Sequence, residues 1–169
     1  MAVRVFKVMH RRRREQKTDY RKRLLLLKSN IPRAVVRRSL SHMSVQFIKY
    51  RPEGDITAAA AKSCELKKFG WTTGTGNLPA AYLTGLLAGK RGMAAGIKKA
   101  VLDIGMHAST PGSRIYAALK GLCDAGMEIN HDSAMLPDEK RLSGEHIQVH
   151  RDVIKKEFNE VKEKILKMS

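Results

Sequence analysis

Acidic residues are scarce where this chain begins: residues 1–50 hold 2 Asp and Glu against 15 Lys and Arg, a net of +13. No hydrophobic core accommodates that density of cations, so this part of the chain must face water or a polyanion. Cysteine is also rare. Cys64 and Cys123 are the only two, far apart, with no Cys-x-x-Cys and no Cys-His pair at ligand spacing. This argues against a structural zinc motif and points to two buried free thiols in a reducing compartment. No run of about 18 apolar residues is present to span a bilayer, and the charged start is not followed by the apolar stretch of a signal peptide. A cytoplasmic protein without a membrane partner is the expectation.

The 169 residues are 43% hydrophobic, enough to fill one ordinary domain, and carry a net charge of +17 with a pI near 10.2. That charge falls along the chain, from +13 in residues 1–50 to +4 in 51–128 and zero in 129–169. Its focus is Arg4 to Arg23, RVFKVMHRRRREQKTDYRKR, where Arg11, Arg12, Arg13 and Arg14 follow Arg4 and Lys7 and precede Lys17, Arg21, Lys22 and Arg23. Lysine and arginine that neutralise phosphates release condensed counterions, so such a block binds RNA or DNA with strong salt dependence. An anionic membrane surface is a weaker alternative, because the segment has no sustained amphipathic face.

Read in order, Val3 to Val8 suggests a short extended piece. Thr18 is a candidate cap for a helix over Tyr20 to Lys28 that docks on the body through Leu24 to Leu27, leaving Arg21 and Lys28 outward. Arg33 to Arg38 and His42 to Tyr50, joined by Ser39-Leu40-Ser41, read as an antiparallel hairpin with basic ends, and Ile56 to Lys62 as a third, alanine-rich strand. A short helical stretch over Cys64 to Phe69 ends at Gly70. Asn77 is then a candidate cap for a helix over Ala80 to Ala95, in which Gly85 and Gly89 permit close approach to a sheet. Lys98 to Gly105 is the clearest buried strand, Gly112 to Met127 a second amphipathic helix, 128–144 irregular, and Glu145 to Met168 a last helix that docks on the body or on a partner. The order implies an α/β fold: a mixed sheet of about four strands packed against two helices, with a basic N-terminal arm and a C-terminal helical extension. The divisions expected are arm and anchoring helix 1–30, body 31–128 and extension 129–169.

Enzymatic readings find little support. Gly74-x-Gly76 runs into a helix, but the third glycine of a dinucleotide motif is Pro79 and no P-loop lysine follows. A nucleotide-binding α/β enzyme using Gly74, Gly76 and Asp103 therefore stands as an alternative, and a basic DNA-binding protein as another. Asp103, His107 and Asp124 have no partner at diagnostic spacing, and Asp103 reads better as a strand-end cap. His146 and His150 are four apart without a third ligand, so no metal, catalytic residue or cofactor is expected.

Several segments together carry a resemblance. RRRREQKTDYRKRL at Arg11 to Leu24, PRAVVRRS at Pro32 to Ser39, TGNLPAAYLTGLLAGKR, AVLDIG and TPGSRIYAALKGLCDAG resemble, in order, the universal L-eighteen family of large-subunit ribosomal proteins in its archaeal form, and more distantly the related eukaryotic L-five protein. The resemblance implies a non-catalytic protein that binds 5S ribosomal RNA and helps seat it in the central protuberance, beside the large rRNA and neighbouring large-subunit proteins. It implies RNA contacts at Arg11, Arg12, Arg13, Arg14, Thr18, Tyr20 and Arg23, and at Arg33, Arg37, Arg38, Ser39 and His42. Further contacts are expected at Thr75, Asn77, Ser113 and Arg114, with the other arm cations Arg4, Lys7, Lys17, Arg21 and Lys28 joining by charge alone.

Overall fold

A computed structural model describes residues 8–148 and 151–168. The extended piece expected at Val3 to Val8, with Arg4 and Lys7, lies outside them except for Val8, as does His150.

The fold is α/β. Four strands, β1 (Arg33–Arg38), β2 (Met43–Lys49), β3 (Ile56–Lys62) and β4 (Val101–Asp103), form one mixed sheet in the order β3-β2-β1-β4. The hairpin β1–β2 pairs Ala34 with Phe47 and Val36 with Val45, while β4 runs parallel to β1. Period-two alternation decides the faces. Ala34, Val36, Met43, Val45, Phe47 and Ala61 are buried on one side, beneath α3 (Leu78–Ala94) and α4 (Arg114–Asp124). β4 is shorter than the eight residues expected. Only three residues pair with β1, and Lys99 makes an isolated bridge to Glu128.

α3 starts where Asn77 accepts the Ala80 amide at 2.9 Å, with Pro79 in the first turn. Its glycines serve a different neighbour from the one expected. A Cβ on Gly85 would run into the backbone of Ala118, and one on Gly121 of α4 into the carbonyl of Tyr82. The small residues therefore let α3 and α4 touch backbone to backbone, and Gly92 alone of the α3 glycines meets the sheet, at Phe47. Gly85→Ala is expected to cost about 1–3 kcal/mol by overpacking this crossing, a loss that urea unfolding would register.

Beyond α4 the chain forms a short 3-10 turn, Ser133–Met135, and α5 (Glu139–Leu142) before α6 (Arg151–Leu166). α6 docks on its own body. Ile154, Phe158, Val161 and Ile165 enter the same core as the sheet residues, and the Phe158 ring lies 5.4 Å from that of Tyr82. Glu157 accepts from the amide and hydroxyl of Thr72, and Lys164 donates to the Phe69 carbonyl at 2.8 Å. The cysteines are less buried than expected: Cys64 is exposed on the 3-10 helix Ser63–Phe69, and Cys123 is half-buried.

Candidate nucleic-acid interface

The four arginines Arg11–Arg14 form one helical turn, α1, with no buried residue. Backbone bonds from the Arg13 and Arg14 amides to the His10 carbonyl close it, and Gln16, at φ 51°, ends it. Two local contacts fold it back on the next segment: Arg12 Nε donates to Thr18 Oγ1 at 2.9 Å, and the His10 and Tyr20 rings lie 5.7 Å apart. The cap of the following helix, α2 (Tyr20–Leu27), is Asp19 rather than Thr18; its carboxylate accepts from the Arg21 and Lys22 amides. Asp19→Ala is expected to destabilise α2 by about 1 kcal/mol, visible as faster amide exchange confined to residues 20–28.

The leucines do not dock α2. It has no buried residue, and Leu24 and Leu25 are 58% and 65% exposed. Four consecutive leucines wrap around an α-helix, so no single face can bury them all. What ties α2 to the sheet is charge. Arg23 pairs with Asp55 at 2.8 Å, Asp55 with Arg33 at 2.7 Å, Arg33 with Asp103 at 2.8 Å, and Asp103 with Arg37 at 3.0 Å. Gly105, at φ +63°, turns its amide back to Asp103 Oδ1 at 2.9 Å, and a Cβ there would strike the Arg37 guanidinium. Burial pushes the Asp103 carboxyl up, but the charge and hydrogen bond of Arg37, the Gly105 amide and Arg33 outweigh it and hold the group below the usual carboxylate value.

This relay corrects one expected contact. Arg33 is 4% exposed and committed to two aspartates, so its guanidinium offers almost no surface to a phosphate. Arg23 and the half-buried Arg37 also spend donors within the relay. Thr75 and Asn77 are likewise turned inward. Thr75 is 8% exposed and donates to the Ser41 carbonyl at 2.9 Å, beside His42 Nδ1, while Asn77 is used as the α3 cap. Gly76 fits against the backbone of Leu40 and Ser41, and Arg114 donates to the Gly76 carbonyl at 2.7 Å. The Gly-Thr loop thus clamps the hairpin tip. With Gly76 packed against that tip and Asp103 neutralised by arginine, the constellation imagined for a nucleotide enzyme is not assembled.

The remaining expected residues stay outward. Arg11, Arg12, Arg13, Arg14, Lys17, Arg21 and Lys28 are exposed along the arm, as is Tyr20. Arg38, Ser39 and His42 are exposed at the hairpin end, where Ser39 Oγ and the His42 backbone close the turn; Ser113, at the start of α4, is the exception, half-buried with its Oγ enclosed and without a hydrogen-bond partner among the described residues. The loop after β4, which sequence reading treated only for catalysis, joins the two regions. Met106 shares a cleft with Arg13, Tyr20 and Arg21 of the arm, and burial together with the charges of Arg38, Arg37 and Arg114 pushes His107 below the usual imidazole value. One basic surface therefore runs from the arm across this loop to the hairpin tip. Among the described residues no group of three potential metal ligands is present, and no helix is long and apolar enough to cross a membrane.

A family profile described as ribosomal large subunit proteins 60S L5 and 50S L18 matches residues 4–98 and 93–132, most of the chain. The chain belongs to this family. It is similar to the large ribosomal subunit protein uL18 of Korarchaeum cryptofilum, 55% identical over 152 residues that cover 90% of this chain and 78% of that one. The protein of the same name from Methanococcoides burtonii is 48% identical over 163 residues, covering 95% and 94%, and that from Halobacterium salinarum 52% over 142, covering 84% and 78%. Family membership makes the chain a structural component of the large subunit of the cytoplasmic ribosome, not an enzyme, and rRNA and other ribosomal proteins are its surroundings. The match with the Methanococcoides burtonii protein covers 95% of this chain, so it extends beyond the segments that carry the resemblance and into the C-terminal region.

Proposed function

We propose that the chain binds 5S ribosomal RNA and helps attach it to the large rRNA in the central protuberance, using the arm and the hairpin end as one surface. The observation that carries this reading is the exposed turn of four arginines held on a base tied to the sheet by ion pairs. Guanidinium groups form short, charge-assisted bonds to phosphate oxygens. Helical RNA presents phosphates and 2′-hydroxyls more accessibly than base edges, so shape dominates recognition, with Tyr20 and His42 placed to stack on unpaired bases. Arg38 and Ser39 extend the track at the hairpin, and neighbouring ribosomal proteins complete the surroundings.

Competition binding at fixed ionic strength tests it. Labelled 5S rRNA should be displaced by unlabelled 5S rRNA far more readily than by duplex DNA of equal charge or by mononucleotides. Equal displacement by DNA would reduce the chain to a general polyanion binder and refute the assignment.

A further inference from the structure

Between α2 and the edge of the sheet lies a cleft of about 400 Å³, within the roughly 300–1,000 Å³ of small-ligand sites. Its chemistry is divided. Leu25 and Leu26 of α2 and Leu102 and Ile104 around the end of β4 supply apolar wall, whereas Arg12, Lys17 and Lys22 stand at its arm side. Arg33, Arg37 and Asp103 of the ion-pair relay also line it. Two aspartates serve three arginines in that relay, so one positive charge is left uncompensated beside the cleft. Arg33 is 4% exposed, and its Nε–H has no acceptor among the described residues. Arg33 itself is neutralised by Asp55 and Asp103, so the surplus charge rests on the partly exposed Arg23 and Arg37, where a nearby anion is favoured. α2 itself buries no residue, although its leucines edge clefts on both flanks.

We propose that this cleft receives one unpaired nucleotide of the bound RNA, its base against the leucines and its phosphate among Arg12, Lys17 and Lys22. The proposal rests on the RNA-binding reading above and adds a place where a base leaves the stack. A nucleotide joins in one ligand what the cleft asks for separately: a flat apolar face and a compact anion. Insertion also gives α2 the packing it lacks within the chain, so the arm and the RNA order each other.

Cross-linking and a filled cleft test it together. 5S rRNA substituted with 4-thiouridine is photo-crosslinked to the full wild-type chain, and adducts are mapped by mass spectrometry; they are expected in residues 24–28 and 100–107. Leu26→Trp, which fills the cleft, is expected to weaken 5S rRNA binding by about tenfold, the scale of one lost base contact, with an unchanged unfolding midpoint. Adducts confined to residues 8–16 and 38–42, with wild-type affinity in Leu26→Trp, would overturn the proposal. Should Leu26→Trp unfold early, the wild-type adduct map decides alone. Wild-type protein that binds an unrelated structured RNA as well as 5S rRNA would defeat the 5S assignment; adducts in the cleft with that RNA would still uphold the cleft.

Discussion

Replacing Arg11, Arg12, Arg13 and Arg14 together by alanine is expected to lower affinity for 5S rRNA by at least about a hundredfold while the body unfolds as before. The two outcomes separate because α1 buries nothing: the substitutions remove only the exposed Arg12–Thr18 bond and a 3.9 Å contact between Arg11 and Glu15. Surface changes of that kind shift stability by no more than about 0.5 kcal/mol. Each lost phosphate contact also removes released counterions, so the slope of log affinity against log salt should flatten by about three. Titrations at several salt concentrations, beside thermal unfolding, check both. An unchanged slope would place the RNA elsewhere on the molecule.

The second large effect concerns stability. Asp103→Asn preserves shape but removes the charge that faces Arg33 and Arg37, leaving a guanidinium that is 4% exposed with Asp55 alone. Breaking a buried pair from one side costs about 3–5 kcal/mol. The same carboxyl sets an acid limb. Its value in the folded protein is depressed below the ordinary 3.8, so its stabilisation is present above that value and is lost as pH falls through the depressed one. Urea unfolding from neutral pH downward should show wild-type stability declining in acid and a flatter profile for Asp103→Asn. Because Asp55 pairs with both Arg33 and Arg23, the variant should loosen α2 and expose the arm to proteolysis at lower urea than the core.

These two residue sets differ in how far the sequence disclosed them. The arginine run is legible because its charge is local, and β1 and β3 are legible because alternation and turn residues bracket them. The relay is not: Arg33 and Asp103 are 70 positions apart, and Arg33 and Asp55 are 22, beyond the reach of any periodicity argument. Asp55 reads locally as a turn residue. A polar residue that belongs to a loop in one dimension becomes the hinge pin of the arm in three. Leu24 to Leu27 mislead in the opposite direction, since an apolar run signals burial whether or not the fold supplies a wall for each face. Gly85 and Gly89 signal a close approach correctly, but spacing alone names no partner, and α4 rather than the sheet fills it. Thr75 likewise looks like a ligand-binding polar residue until the hairpin tip is placed against it, whereas Asn77 is legible as the cap it proves to be.

The family's place in the large subunit follows from its matches, and the surface runs from arm to hairpin; the RNA that fits it is the central claim. Purifying the tagged chain from cells under gentle salt, after ribosomes are dissociated, and sequencing the RNA that accompanies it tests that claim most directly. 5S rRNA should be the dominant species and should be lost from the Arg11→Ala/Arg12→Ala/Arg13→Ala/Arg14→Ala variant. Recovery of a different RNA, or of 5S rRNA undiminished in that variant, would contradict the account.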